Sequence, residues 1–315
     1  ATLEASYAQV LEDLNKADEL VTRIGSDAAF VTEGAVDALL ARVYLYMKNW
    51  DKAIEHATNV ITSQSGSYTV YSLADINSYV STASGVMNEY QAMWTYDSSD
   101  EIIWKISFST SDMGGSLGTL FMGITGGQYN PNYVPAKWLI DSYDGYDMRR
   151  TSFFSLVTTM QGVSTEVVVK YPGNPTIDGS AGNFYTNMPK VLRLSEVYLI
   201  RAEAYAMKGE TNKANSDLTT LRKARIQGYG SANHSQEKLL EEIQEERAKE
   251  LFLEGFRLAD LKRWEKGFER QPQNGTINGD HYSSLKVSGT DKKFTWLIPQ
   301  HEITASKGLV IQNEQ

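Results

Sequence analysis

The chain has 315 residues, enough to bury a substantial core in one or two domains. Its formal net charge is −9 and its pI near 5.1, which argues against sequence-independent nucleic-acid binding and against docking on anionic lipid. It has no cysteine, so disulfides and thiolate metal sites are excluded, and no stretch approaches the roughly 20 apolar residues of a membrane-spanning helix.

In chain order, the opening ATLEASYAQV is polar and amphipathic and carries no signal peptide. Leu3, Tyr7, Val10, Leu11, Leu14, Ala17 and Leu20 share one face of a helix over residues 3–22. Residues 25–34 are a turn-rich gap. A helix pair follows over 35–48 and 51–63, with Asp51 as N-cap of the second helix and Trp50 as a packing residue at the bend. From 63 to about 100, Ser, Gly, Thr, Asn and Tyr dominate; this reads as loops with one short helix near 73–79. Residues 101–108 (EIIWKISF) alternate as a strand, with Trp104 in the core. Gly114, Gly115, Gly118, Gly123, Gly126 and Gly127 then mark a long loop rather than a helix, and such a loop in a compact domain is functional or disordered. A short helix over 137–143 with Trp138 on its buried face, a second strand over 163–170 and a loop over 171–187 complete this middle part.

From 189 the helical period returns. Leu192, Val197, Leu199, Ile200, Ala204 and Tyr205 keep it, Gly209 ends it, and Ala214, Leu218 and Leu221 resume it. Leu239, Leu240, Ile243, Leu251, Phe252, Phe256 and Leu261 line a third helix. Ala202, Tyr205 and Ala214 repeat Ala41, Tyr44 and Ala53 at a constant offset of 161 residues, with Leu221 opposite Val60. Small residues alternating with Tyr let two helices approach closely, the logic of tetratricopeptide (TPR) pairs. After Trp264 the chain is irregular apart from a short strand over 294–298.

Four segments carry a family resemblance. ERAKELFLEGFRLADLKRW (246–264) resembles the C-terminal signature of the SusD/RagB family, of pattern ERxxELxxEGxRxxDLxRW. GAVDALLARVYLYMKNWDKAIEHATNVI (34–61) resembles its TPR-like helix pair, SYDGYDMRR (142–150) its middle Asp–Arg segment, and WLIPQHEITASKGLVIQN (296–313) its tail. The resemblance implies a mainly α fold of TPR-like helix pairs in a SusD-like superhelix, with a loop-rich inserted subdomain and a few short strands. It implies one SusD-like domain over 1–315: a helical scaffold over 1–65 and 189–266, a ligand-side subdomain over 66–188 and a tail over 267–315. It further implies a non-catalytic outer-membrane lipoprotein of a Bacteroidota-type bacterium, which binds oligosaccharide for a SusC-like TonB-dependent transporter and needs no cofactor. The lipoprotein signal, acylated Cys and further helices usual at the family's N-terminus are not in this sequence, so the expectation is a chain shortened there, its lipid anchor included.

The chemistry of catalysis is sparse. No P-loop, dinucleotide fingerprint, Gly-x-Ser-x-Gly elbow or zinc-protease helix occurs, and the four His are scattered. Glu246, Arg247, Glu250, Glu254, Arg257, Asp260 and Arg263 stand at i,i+3 and i,i+4 relations and read as a structural ion-pair network on one helix, with Trp264 in the core. Asp141, Asp144 and Asp147 around Gly145 leave two readings: a calcium loop, or helix-end turns with Asp147 paired to Arg149 or Arg150. For a sugar, flat rings and amides are the relevant chemistry, and the chain has 18 Tyr against 10 Phe. Gln128, Tyr129, Asn130, Asn132 and Tyr133 alternate rings and amides on a Gly-flanked loop; Trp94 and Tyr96 form a second candidate pair. The rivals to glycan capture are peptide capture, as the RagB branch implies, a TPR adaptor, and a glycoside hydrolase with two unrecognised carboxylates.

Overall fold

A computed structural model describes residues 2–21, 27–65, 68–178, 185–269 and 286–313. The fold is mainly α with short two-stranded ribbons, as the resemblance implies. The helices are α1 (Leu3–Leu20), α2 (Glu33–Tyr46), α3 (Trp50–Ile61), α4 (Glu89–Tyr96), α5 (Leu117–Met122), α6 (Lys137–Asp141), α7 (Met148–Phe153), α8 (Pro175–Asp178), α9 (Leu194–Met207), α10 (Thr211–Lys223), α11 (Gln236–Glu250), α12 (Arg257–Arg263) and α13 (Gln300–Ala305).

Two helix pairs, α2–α3 and α9–α10, stack through α3 against α9. Ala38, Ala41, Ala53, Ala57 and Ala204 are fully buried where these backbones meet, and Val197, Ile200, Tyr44 and Trp50 fill the spaces between them. Each fully buried aliphatic side chain stabilises the fold by about 1.5–3 kcal/mol relative to exposure. Forked ion pairs fix the stacking. Arg42 of α2 grips Glu196 of α9 through Nε and Nη2 at 2.7 and 2.6 Å. Arg201 of α9 grips Asp217 of α10 at 2.8 and 2.7 Å. Asn49, not Asp51, caps α3, its side chain accepting from the Lys52 amide; Asp51 already lies in the first turn and pairs with Lys208. The apolar face of α1 is not taken into the core: no residue of α1 is buried.

The middle part is more regular than its composition suggests. No helix forms at 73–79; the Asp75 carboxylate accepts from the Asn77 amide and turns the chain into a hairpin, Tyr79–Thr82 against Gly85–Asn88. Asn88 then caps α4, which seats Tyr90, Met93 and Trp94 in a second core with Phe153, Phe154 and Tyr171. The strand at 102–105 pairs with Lys190–Arg193, so the chain enters the helical block as a strand and α9 begins only at Leu194. The buried Asp97 carboxylate accepts from Asn174, Asn187, the Met188 amide and Lys190, and so ties this ribbon to the loop before it. The Gly-rich stretch contains α5, capped by Ser116, and a hairpin, Ile124–Thr125 against Gln128–Tyr129. Gly126 and Gly127 take φ of 57° and 78° at its turn, where a side chain would be strained. Ser164–Val168 pairs with Phe154–Thr158.

The third helix of the helical block is broken. It stops at Glu250, turns through 251–255 with Leu253 and Gly255 at φ of 58° and 89°, and restarts as α12. No strand forms at 294–298; Lys292–Phe294 is a 3-10 turn, and the Gln312 side chain bonds the backbone of Ile298 beyond it. Among the described residues no helix is long and apolar enough to cross a membrane.

Candidate functional site

The break after α11 places its carboxylates at three levels of one buried lattice. Glu246 takes Arg149 of α7 and, at 2.7 Å, Arg222 of α10. Glu250 receives Arg149 at 3.0 Å, Arg193 at 2.9 Å and Arg225 at 3.1 Å. Glu254, carried round by the turn, holds Arg193 at 2.8 Å and Lys170 at 2.7 Å. Glu101, at the foot of the 102–105 strand, closes the lattice through Arg193 and Arg225. Burial disfavours the charge on Glu250, but Arg225, Arg193 and Arg149 outweigh it and hold the carboxyl well below the usual range. Burial likewise opposes Glu246, yet Arg149 and Arg222 bring its pKa down to about 2. Beside the lattice, Arg247 holds Asp260 at 2.9 Å, and Arg263 holds both Asp260 and Glu203. Trp264 is half-buried and donates to Glu203. The signature is thus a structural ion-pair network across a helix break rather than along one helix. Arg257 stands outside it, exposed and without an ion pair.

The same break opens a cavity of about 630 Å³. Its walls are Phe121 of α5, Leu139 of α6, and Leu251, Phe252, Phe256 and Leu258 from the turn and α12, with Arg247 and Arg257 bordering it. Tyr133 and Trp138 stand at it 60 % and 46 % exposed. Trp138 therefore does not lie on a buried face. In a five-residue helix the period cannot assign a face, and here Leu139 and Ile140 take the buried side.

The sequence candidates divide. Gln128, Asn130 and Asn132 are exposed and Tyr129 half-buried on the hairpin leading to Tyr133; Asn130 accepts from Gln161 at 3.1 Å. Trp94 leaves the set. It is 2 % exposed, with Lys170 and Lys190 at 4.2 and 4.8 Å from its ring centroid, so neither face is open to a sugar. Burial pushes the Lys170 ammonium down to about 8, with Glu254 partly offsetting it. Tyr96 is half-buried at the far end of α4, its hydroxyl on Ser84 at 2.8 Å, and does not border the cavity. Asp141, Asp144 and Asp147 are engaged separately: with Lys137, with the Tyr146 amide at 2.8 Å and with Arg149 at 2.7 Å. Among the described residues no group of three or more acids or His gathers as a metal site. His281 lies outside the described residues.

A mainly α-helical scaffold of stacked pairs, locked by a buried Arg–carboxylate lattice and opening on one aromatic cleft, is the class that fold and site define. The chain belongs to the SusD family, whose model matches residues 158–315, the half that contains the lattice carboxylates of α11. Solved structures agree. A SusD superfamily protein from Bacteroides thetaiotaomicron is 26 % identical, with a TM-score of 0.79 over 100 % of this chain and 67 % of its own. A SusD-like carbohydrate binding protein from Bacteroides vulgatus is 23 % identical, with a TM-score of 0.72 over 98 % of this chain and 66 % of its own. Surface glycan-binding protein A from Bacteroides thetaiotaomicron is 21 % identical, with a TM-score of 0.71 over 100 % and 71 %. The chain spans about two thirds of the length of these structures. No curated protein matches the sequence.

Proposed function

We propose that this chain captures oligosaccharide at the outer-membrane surface and holds it, without cleaving it, for a SusC-like TonB-dependent transporter. The observation that carries the reading is the pair of exposed rings at the cavity, Tyr133 and Trp138, preceded in the same segment by the exposed amides of Gln128, Asn130 and Asn132, on a scaffold of the SusD family. A pyranose offers an apolar C–H face to a ring and hydroxyls to amides, so rings set beside amides suit it. Tyr129 contributes from the half-buried side of the same segment. Two structures of the same fold are named for carbohydrate or glycan binding, which agrees with this ligand class. Within the signature, Glu246, Glu250 and Glu254 are held ionised by Arg and Lys and so do not supply the carboxyl of raised pKa that glycoside hydrolysis uses as acid; Asp217, whose pKa burial does raise, is gripped by Arg201 between α9 and α10.

The test is calorimetric titration of the chain against a panel of oligosaccharides, with Tyr133→Ala and Trp138→Ala beside it. The expected result is saturable binding of one glycan class, weakened about tenfold by each substitution, a loss of about 1.4 kcal/mol. Binding unchanged in both variants would remove this cleft edge from the site. Failure of every sugar together with saturable binding of peptides would move the ligand to the peptide class. Release of reducing ends would overturn the non-catalytic reading.

A further inference from the structure

Behind Tyr133 and Trp138 the cavity changes character. Its floor of Phe121, Leu139, Leu251, Phe252 and Phe256 offers almost no partner for sugar hydroxyls, so whatever fills it is apolar. At about 630 Å³ it lies in the size range of small-molecule pockets. Two guanidinium groups border this apolar space, and they differ: one is forked onto a carboxylate, the other is not. Arg247 gives Nε and Nη2 to Asp260 at 2.9 and 3.0 Å, and its Nη1 is buried with no hydrogen-bond partner. Arg257 is exposed and, among the described residues, has neither ion pair nor hydrogen bond, although Asp260 lies near enough to act on its charge. The contrast with Arg149, Arg193 and Arg225 is sharp, since each of those meets two or more carboxylates. An exposed guanidinium at the rim of an apolar cavity is open to a carboxylate, the planar acceptor that its fork matches.

We infer that this cavity is a second ligand site, distinct in chemistry from the sugar platform, for an apolar monocarboxylate. The aryl or acyl body lies on Phe121, Leu251 and Phe252, and the carboxylate pairs with Arg257 at the rim. One negative charge is the right number, because a second would lie against apolar walls with nothing to pair it. Such a carboxylate has two sources, a free acyl or aryl acid and the C-terminal residue of an apolar peptide. The shared chemistry is what the site selects, and it does not depend on the glycan reading.

The test uses the whole chain. Phenylbutyrate and octanoate are titrated by calorimetry and by tryptophan fluorescence, each beside its neutral amide, and N-acetyl-Leu-Phe is titrated as acid and as amide. The expected result is saturable binding of the acids and at least about tenfold weaker binding of the amides. Arg257→Gln should remove that preference while circular dichroism and amide affinity stay unchanged, since Arg257 has no partner to lose. Arg257→Lys should recover part of it, because charge returns without the fork. Leu258→Asp, which sets a like charge in the wall, should weaken all the acids. Selectivity for free acids, for the peptide acid or for both identifies the source and upholds the site. No saturation with any acid by low millimolar concentration, equal affinity for acid and amide, or an Arg257→Gln variant that keeps the preference would overturn it.

Discussion

Glu246 has no exposure to solvent and takes a guanidinium on each oxygen, from Arg149 and Arg222. Its carboxyl titrates near 2 in the fold, against about 4.3 for an unperturbed Glu. A depressed carboxylate contributes stability that is fully present above the unfolded pKa and is lost as pH falls through the folded value. Stability should therefore decline from about pH 5 towards pH 2, with Glu246 among the groups responsible. Urea melts across that range should show a shallower decline for Glu246→Gln, even though its plateau near neutral pH is lower; an unchanged slope would remove Glu246 from the cause. At this scale the sequence was informative where spacing carries the meaning. Acids and Arg at i,i+3 and i,i+4 pointed to an ion-pair network, and most of them join one. Exposure was not legible. Trp94 sits between Ser- and Asn-rich flanks that resemble a loop, yet it is buried, whereas Trp138 looked like a helix core residue and stands open. Arg257 resembles its neighbours in charge and spacing, and nothing local shows that the fold leaves it unpaired.

Helices came through in proportion to their length. The elements α2, α3, α9 and α10 run 12 to 14 residues each, long enough for a helical period to repeat. The helices missed, α4, α5, α7, α8 and α13, have 8, 6, 6, 4 and 6 residues, and α5 carries Gly118 because a Cβ there would come within 2.3 Å of the Tyr171 carbonyl oxygen. The break after Glu250 was hidden because apolar residues on both sides keep the period; left-handed backbone at Leu253 and Gly255 interrupts it. The 161-residue repeat extends to the bends. Lys48 and Gly209 occupy matching positions and both are left-handed, at φ of 59° and 75°. A Cβ at Gly209 would meet nothing within 4 Å, so its cost is backbone strain alone. Gly209→Ala should destabilise the chain by about 1 kcal/mol, read as a lowered urea midpoint at constant slope. No change would mean that the α9–α10 bend tolerates a side chain as the Lys48 bend does.

Across the whole molecule, the lattice joins segments far apart in sequence. Glu101, Arg149, Arg193, Arg225 and Glu250 meet at one place although the first and last are separated by most of the middle of the chain. Helices α7, α10 and α11 and the ribbon of 102–105 with Lys190–Arg193 are therefore held by shared charges as well as by apolar packing. Removing one member leaves others buried and uncompensated, which typically costs about 3–5 kcal/mol. The architecture was legible because TPR-like packing leaves a strong imprint of small residues and rings. The cleft was not, since it arises where a helix break, the short helices α5 and α6 and the segment 133–136 converge, and no local pattern records that meeting.

Helix α1 shows what the unburied face means in time rather than in shape. Its 18 residues form a complete backbone ladder, but with no side chain fully buried, and only Tyr7, Leu11, Leu14 and Ala17 half-buried on the side that meets α2, little packing supports it, and a helix of this length on its own is marginal in water. Its amide protons should exchange with solvent through local fraying, at rates set by a free energy well below that of global unfolding. Those of α9, whose Val197, Leu199 and Ile200 are fully buried, should wait for global unfolding. Equal protection in the two helices would mean instead that something covers the Leu3, Tyr7, Val10 and Leu14 face in solution.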